Sequence, residues 1–475
     1  MTFPWWSVIP FVLMLLSIAI LPLHPATAHR WEQWRFQLSL ALLLGVPVAI
    51  WVIAAGDPAA VVHAIVEYAQ FICLLFALFV VSGGIFLSGD IHASPRSNTT
   101  FLAVGGGIAS FVGTTGAAML LIRPLLNTNT QRKHKVHTVV FAILIVANCG
   151  GLLTPLGDPP LFLGMLRGVP FTWTFNLFPE WLFVNGMLLL TYYALDRVMY
   201  AKEEPEAIYR DETRVTPLGL HGKINLLFLV AIIAAVAFAP SLDLHAIEEG
   251  HASLAAYIPW REIVMLSAAA ASLTLGDKHA RYVANKFTWA PIIEVACIFI
   301  GIFLTMVPAL KVLRQVAPSL PLNDVTFFVF TGSLSSVLDN APTYVTFFEM
   351  ASTLAGEPRV AGVPESYLVA ISLGAVFCGA MTYIGNGPNF MVKSVAESTG
   401  VKMPSFGGYV VWACQYLLPT LAAMVLIFIA PATWAHWLGW AVAALLVARA
   451  AWLIRRSESP QVLEARAISG AIGDA

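Results

Sequence analysis

Thr154-Pro155-Leu156-Gly157-Asp158-Pro159-Pro160 and Thr382-Tyr383-Ile384-Gly385-Asn386-Gly387-Pro388 are two versions of one pattern, set in the two halves of an otherwise apolar chain. Each follows a second polar interruption. Ser110-Phe111-Val112-Gly113-Thr114-Thr115-Gly116 precedes the first, and Ser335-Ser336-Val337-Leu338-Asp339-Asn340-Ala341-Pro342 precedes the second. Further upstream, Gly84 to Leu87 and Gly301 to Leu304 both read Gly-Ile-Phe-Leu. Corresponding motifs lie about 220 residues apart, the mark of an internal duplication. Polar, Gly/Pro-broken segments at matching places in two apolar halves point to the binding site of a secondary transporter.

The rest of the composition fits a chain that lives in a bilayer. Of 475 residues, 58% are hydrophobic and 11% charged, and the mean hydropathy is +0.78; a soluble chain carries about a quarter charged residues. The net charge of −1 carries no message about partners, and no basic run is dense enough to suggest a nucleic-acid partner. Cys73, Cys149, Cys297, Cys378 and Cys414 lie in apolar stretches without CxxC spacing, so neither a disulfide framework nor a zinc site is expected. Ala26-Thr27-Ala28 mimics a signal-peptidase site, but Met1 to Trp6 has no positive charge and the run to Leu23 is long enough to span. A retained first helix is therefore expected, and a disordered polar tail after Arg456.

Apolar runs of spanning length lie near 4–23, 35–55, 67–88, 181–200, 223–240, 258–276, 289–312, 407–430 and 432–454. Blocks 98–127 and 324–352 have polar, turn-forming centres and suit helical hairpins that enter and leave on one side; blocks 136–166 and 365–400 suit single broken spans. With that arrangement Arg30, Arg35, Arg96, Arg132, Lys133, Lys135, Lys202, Arg210, Arg214, Lys278, Arg281, Lys286, Arg455 and Arg456 share one side. By the positive-inside rule that side is cytoplasmic. Asp57 and the acidic stretch 243–249 face outward, so 128–135 and 201–222 are expected inside and 241–257 outside. The two halves then start on opposite sides, as in an inverted repeat. The expected fold is an all-α polytopic membrane protein with a first repeat over 1–200, a cytoplasmic linker at 201–222, a second repeat over 223–430, and a terminal helix and tail over 431–475.

Breaking a helix inside hydrocarbon frees N–H and C=O groups that water cannot reach, so such breaks survive where they line a cavity or bind something. Asp158 and Asp339 are carboxylates within these segments, and an intramembrane acid is a functional-site candidate by default. Thr114, Thr115, Thr154, Ser335, Ser336, Asn340, Thr343, Thr382 and Asn386 add neutral oxygens of the kind a hard cation such as sodium accepts. The plainer alternative is that Asp158 and Asp339-Asn340 only cap helices or turns, and the two roles are compatible. Asn148 can be a ligand or packing glue between helices. Glu294 suits an interface position or a salt bridge, while Asp90 and Glu349, at segment ends, suit solvated positions. Arg123 and Lys393 are the basic residues nearest the motifs.

At Gly157-Asp158-Pro159, Asp339-Asn340-Ala341-Pro342 and Gly385-Asn386-Gly387-Pro388 the chain resembles the ion transporter superfamily, which includes sodium/proton antiporters of the NhaD type, arsenite pumps, citrate carriers and divalent-anion/sodium symporters. It is most similar to the NhaD-type and citrate-transport (CitMHS-like) sequences, from the first span to about residue 430. The resemblance implies scaffold and transport domains, a homodimer joined through the scaffolds, elevator-like movement, and ion-site positions at Thr114, Thr115, Asp158, Asp339, Asn340 and Asn386. Neither hairpin tip carries the Ser-Asn-Thr of the divalent-anion carriers, and the first tip lacks an acid.

The expected activity is sodium (or lithium)/proton antiport by the buried carboxylates, with sodium provisionally on Asp158 and Asp339. The alternative is a proton- or cation-coupled citrate or other organic-anion transporter. No cofactor is expected beyond the transported or coupling ions. The expected setting is the bilayer of a bacterial inner membrane. An intramembrane aspartyl protease needs Gly-x-Gly-Asp, whereas Pro155 precedes Leu156-Gly157-Asp158; a channel would show a pore motif rather than duplicated breaks.

Overall fold

The computed structural model describes residues 3–22, 24–31, 33–213, 216–248 and 254–457. The tail 458–475 and part of the 241–257 loop, on which two of the expectations above fall, lie outside the described residues. A 3-10 turn, Trp5–Val8, runs into α1 (Ile9–Ile20), followed by α2 (Pro25–Trp31), α3 (Trp34–Ala54), α4 (Pro58–Gly83) and β1 (Phe86–Asp90). Next come α5 (Pro95–Val112) and α6 (Thr114–Thr128), then α7 (Val136–Ile145), a 3-10 turn at Cys149–Leu153, and α8 (Pro159–Leu166). The 3-10 turn Phe171–Leu177 leads into α9 (Phe178–Tyr200), with α10 (Pro205–Thr213) and β2 (Thr216–His221) after it. The second half holds α11 (Ile224–Phe238), α12 (Leu244–Glu248), α13 (Trp260–Leu275), α14 (Ala290–Val316), α15 (Asp324–Val337), α16 (Asn340–Ser352), α17 (Glu365–Cys378), α18 (Gly387–Ser398), α19 (Phe406–Met424) and α20 (Thr433–Arg456).

Of the described residues, 77% are helical. Among the described residues, six helical stretches are long and apolar enough to cross a membrane: Trp34–Ala54, Pro58–Gly83, Val136–Leu153, Ala290–Ser319, Phe406–Ile429 and Thr433–Arg456. This is an all-α integral membrane protein. The described strands form only two short ribbons. The larger pairs β1 with β2 antiparallel, Phe86 opposite His221 and Ser88 opposite Gly219, with a bulge before Asp90.

The chain divides into two compact units, each assembled from separated segments. One unit comprises 1–84, 159–171 and 222–375. Within it α3 and α14 pack through small residues: a Cβ on Gly301 would lie 2.7 Å from Ala41 Cβ, and one on Gly45 would lie 3.1 Å from Leu304 Cβ. Close backbone approach of this kind supplies the dispersion contacts that hold helices together where lipid removes the hydrophobic drive. Phe3, Val48, Val52, Val61, Leu304 and Val312 form a core around that seam. The fully buried Arg281 is held by neutral groups, donating to Val80 O at 2.5 Å and to Ser272 O and Oγ at 3.1 and 2.6 Å. Val80 and Ser272 stand in the last turns of α4 and α13, so two helix C-termini, each worth about half a negative charge, offset the guanidinium.

One acid in this unit sits otherwise than its sequence position suggests. Glu349 is buried, not solvated: its Oε1 lies 3.4 Å from Arg167 Nε and its Oε2 takes 2.6 Å from Arg314 Nε. Arg167 in turn reaches Glu67 Oε2 at 2.8 Å. Glu294 accepts from Gln37 Nε2 at 2.8 Å.

The other unit comprises 85–158, 172–221 and 376–475. Its helices α9, α19 and α20 share a core at Ala423, Ile427 and Ala443. At the charged end of α9, Asp196 is fully buried against Arg132, His137, Tyr192 and Asn98. His137 is buried on α7. In the linker, Asp211 accepts from Ala93 N at 2.8 Å, and burial pushes its carboxyl up to about 6.

Candidate functional site

Both hairpin blocks are helix–turn–helix pairs. In the first, α5 gives way to α6 at Gly113, whose φ of 81° and ψ of 146° suit a residue without a side chain. In the second, α15 gives way to α16 through Leu338 and Asp339 in extended conformations that need no glycine. Both broken spans share another order: a helix, a 3-10 turn, an irregular stretch and a second helix. Their regular structure stops earlier than the Gly-Asp and Gly-Asn motifs suggest, since α7 ends at Ile145 and α17 at Cys378.

The freed backbone of the first break is satisfied by side chains, within the unit that holds the first hairpin. Ser110 Oγ on α5 donates to Gly150 O at 2.6 Å and accepts from Leu153 N at 3.0 Å. Trp181 Nε1 donates to Gly150 O at 3.1 Å, Asn185 Nδ2 to Cys149 O at 3.1 Å, and Thr174 Oγ1 to Leu153 O at 2.8 Å. Thr154 Oγ1 donates to Ser110 O and accepts from Leu156 N at 3.1 Å. The first N–H of α6, on Thr114, donates to Gly157 O at 2.8 Å. Helix ends leave such donors unpaired and a membrane interior supplies no water to meet them, so hairpin tip and break complete one another. Gly157 permits the approach, because a Cβ there would run into the Gly151 carbonyl.

Asp158 emerges at this junction, 1% exposed. Its Oδ1 accepts from Thr114 Oγ1 at 3.0 Å and from Asn386 Nδ2 at 3.0 Å. Thr114 is the first residue of α6, and Asn386 is the N-cap of α18. The carboxylate thus takes donors from the ends of two helices, where partial positive charge gathers. Asn386 Nδ2 also lies 3.2 Å from Asn148 Oδ1, and Asn148 Nδ2 lies 2.6 Å from Asn389 Oδ1. Thr115 is half-buried, one residue along α6.

The unit that holds the second hairpin contains Ser335, Asp339 and Asn340. Ser335 Oγ donates to Ala375 O at 2.7 Å, forty residues ahead, the same separation as the Ser110–Gly150 bond of the first hairpin. Asp339 is the half-buried N-cap of α16, accepting from Ala341 N at 3.0 Å, while Asn340 beside it is 1% exposed. Thr382, in the same unit as Asp158, caps the second break: its Oγ1 accepts from Ile384 N at 3.2 Å and Gly385 N at 3.1 Å. The structure therefore brings Thr114, Asp158 and Asn386 together around one carboxylate. It engages Thr154, Ser335 and Thr382 with broken backbone, and gives Asp339 the capping bond of its own helix.

Of the two basic residues near the motifs, Lys393 pairs with Glu397 at 2.8 Å and lies over the Tyr383 ring at 5.5 Å. Arg123 is half-buried on α6, its Nε buried without a hydrogen-bond partner among the described residues. Among the described residues no group of three or more His, Cys, Asp or Glu could hold a metal ion. An oxygen site built on one carboxylate and neutral donors suits protons or a weakly held hard cation instead.

A helical membrane protein whose broken helices meet at a buried carboxylate has the build of a membrane transporter. The chain belongs to the Putative citrate transport family, which it matches over residues 1–429, from the first helix to the end of the helical stretch that α19 begins. No curated protein matches it.

Proposed function

We propose that this protein is a secondary transporter that carries citrate or a related organic anion together with a cation or protons, with Asp158 as the coupling carboxylate. The observation that carries this reading is Asp158, held on neutral donors between the first hairpin tip and the second break, in a chain of a citrate-transport family. The electrostatics argue for coupling. Two helix N-termini contribute about half a positive charge each, so with ionised Asp158 the site is close to neutral. A citrate with about three negative charges has no net attraction to it and a large desolvation cost. One bound cation or proton leaves the site with about one positive charge, which makes anion binding conditional on the ion.

The matched Ser110–Gly150 and Ser335–Ala375 bonds support an inverted repeat, in which each hairpin braces a broken span. Elevator-like movement of these elements in a homodimer, in a bacterial inner membrane, completes the proposal. Sodium (or lithium)/proton antiport is the second reading, favoured by the engagement of Lys393 with Glu397. Purified protein in liposomes separates them. Under our reading, radiolabelled citrate accumulates only with an inward cation or proton gradient. Sodium-driven proton movement without any citrate accumulation would replace it with antiport.

A further inference from the structure

We infer that Asn148 and Asn389 are positioning residues that set which way the Asn386 amide faces Asp158. The inference rests on the proposal that Asp158 is the coupling carboxylate. The three asparagines form a chain of amides within one unit, at 0%, 0% and 3% exposure for Asn148, Asn389 and Asn386. An amide can present either its oxygen or its nitrogen to a neighbour, so an isolated Asn386 could offer either end to the carboxylate.

Backbone carbonyls remove that freedom. Asn389 Nδ2 donates to Gly379 O at 2.8 Å and to Thr382 O at 2.9 Å, two carbonyls freed by the second break. Carbonyls only accept, so Asn389 must turn its Oδ1 the other way, to Asn148 Nδ2 at 2.6 Å. Asn148 Nδ2 also donates to Ile143 O at 2.8 Å, a carbonyl freed where α7 ends. Asn148 then presents Oδ1, which receives Asn386 Nδ2 at 3.2 Å. That nitrogen is the one 3.0 Å from Asp158 Oδ1, and the Ala147 carbonyl, 3.3 Å away, takes a donor as well. Among the described residues Asn386 Oδ1 accepts no hydrogen bond, which leaves a neutral oxygen on the residue that donates to the carboxylate. The breaks at 146–158 and 379–386 thereby impose one polarity on the site: donors toward Asp158, and an oxygen left for a hard cation.

The test uses the full chain in liposomes, with radiolabelled citrate uptake as a function of sodium chloride and pH, and the melting midpoint of each purified variant. Asn389→Leu, close in shape, removes the anchor of the chain. It should raise the sodium concentration for half-maximal uptake about tenfold or more, the usual effect of losing an outer-shell partner. Asn148→Asp is the second variant: ionised, it cannot donate to Asn389, whereas protonated it offers one donor and one acceptor and restores the polarity. Its uptake relative to wild type should climb as pH falls from about 8 to about 5, at a melting midpoint that tracks wild type. Wild-type sodium and pH dependence in both variants would overturn the inference, as would losses of uptake that merely follow losses of melting midpoint. A wild-type protein that takes up no citrate would contradict the proposed function instead. The relay is then read from the rise in melting midpoint that sodium or lithium chloride produces, which both variants should diminish and which an unchanged rise would contradict.

Discussion

Replacing Asp196 by Asn should cost this protein much of its stability, and the geometry sets the size of the loss. The Asp196 carboxylate takes Arg132 Nη1 at 3.1 Å and Nη2 at 2.5 Å. It also takes His137 Nε2 at 2.8 Å, Tyr192 OH at 3.2 Å and Asn98 Nδ2 at 3.3 Å. Five donors converge on about four lone-pair positions of a carboxylate that is 0% exposed. An asparagine keeps one oxygen and turns an NH₂ toward an Arg132 guanidinium that can only donate, while Arg132 loses its nearest counter-charge. Breaking one side of a buried ion pair costs about 3–5 kcal/mol. Glu203, 3.6 Å from Arg132 Nε, still offsets part of the charge and puts the loss near the low end, about 3 kcal/mol. For a unit of this size that lowers the melting midpoint by about 6–12 °C. Thermal unfolding of detergent-purified protein, followed by size-exclusion fluorescence at a fixed heating rate, measures it. The paired change Arg132→Met with Asp196→Leu should recover part of the loss, because the guanidinium and its main counter-charge leave together and Glu203 stays held by the Lys133 and His134 amides. A drop below about 2 °C in Asp196→Asn, or a double variant worse than the single one, would refute the reasoning.

Other outcomes follow from the charged groups. Arg167→Gln leaves Glu67 and Glu349 without the cation between them, and should lower the melting midpoint more than Arg210→Gln, whose partner Glu206 is exposed. Equal effects would deny the Arg167 network a structural role. The Asp211 carboxyl is raised to about 6 in the folded protein against 3.8 as a free side chain. Its contribution is thus fully present below about pH 4 and is lost as pH rises through about 6, and Asp211→Asn should flatten the melting midpoint over that window. An unchanged slope would remove Asp211 as its source. Cysteine labelling from outside should modify position 247 and not position 133; the reverse pattern would overturn the topology and the inverted repeat with it.

The polar interruptions are legible in the sequence because Gly, Pro, Asp and Asn stand where the surroundings are Leu, Val, Phe and Ala, and no helix crosses such a stretch unbroken. The turns at Gly113 and Asp339 and the carboxylate at Asp158 follow from that contrast. What satisfies a broken helix is less legible, since it comes from remote parts of the chain. Asn389 was readable only as one more polar residue on α18, although its place one turn after Asn386 puts both on one face. Trp181 and Asn185 look like ordinary residues of a spanning helix until the carbonyls of Gly150 and Cys149 arrive beside them. Glu349 is misplaced for the same reason: the partners that make its burial possible, Arg167 and Arg314, lie 182 and 35 residues away. The β1–β2 ribbon joins segments on either side of the six helices α5 to α10, and neither strand carries an alternating pattern of its own.

The most direct test of the account is citrate uptake by Asp158→Asn in liposomes, set against the ion gradient that drives the wild-type protein. The substitution keeps the shape and the bond to Thr114 but leaves no charge to bind the coupling ion. The account predicts that gradient-driven accumulation disappears while the variant still elutes as folded protein. Gradient-driven accumulation at the wild-type level in Asp158→Asn would contradict it and reduce Asp158 to a cap on a broken helix.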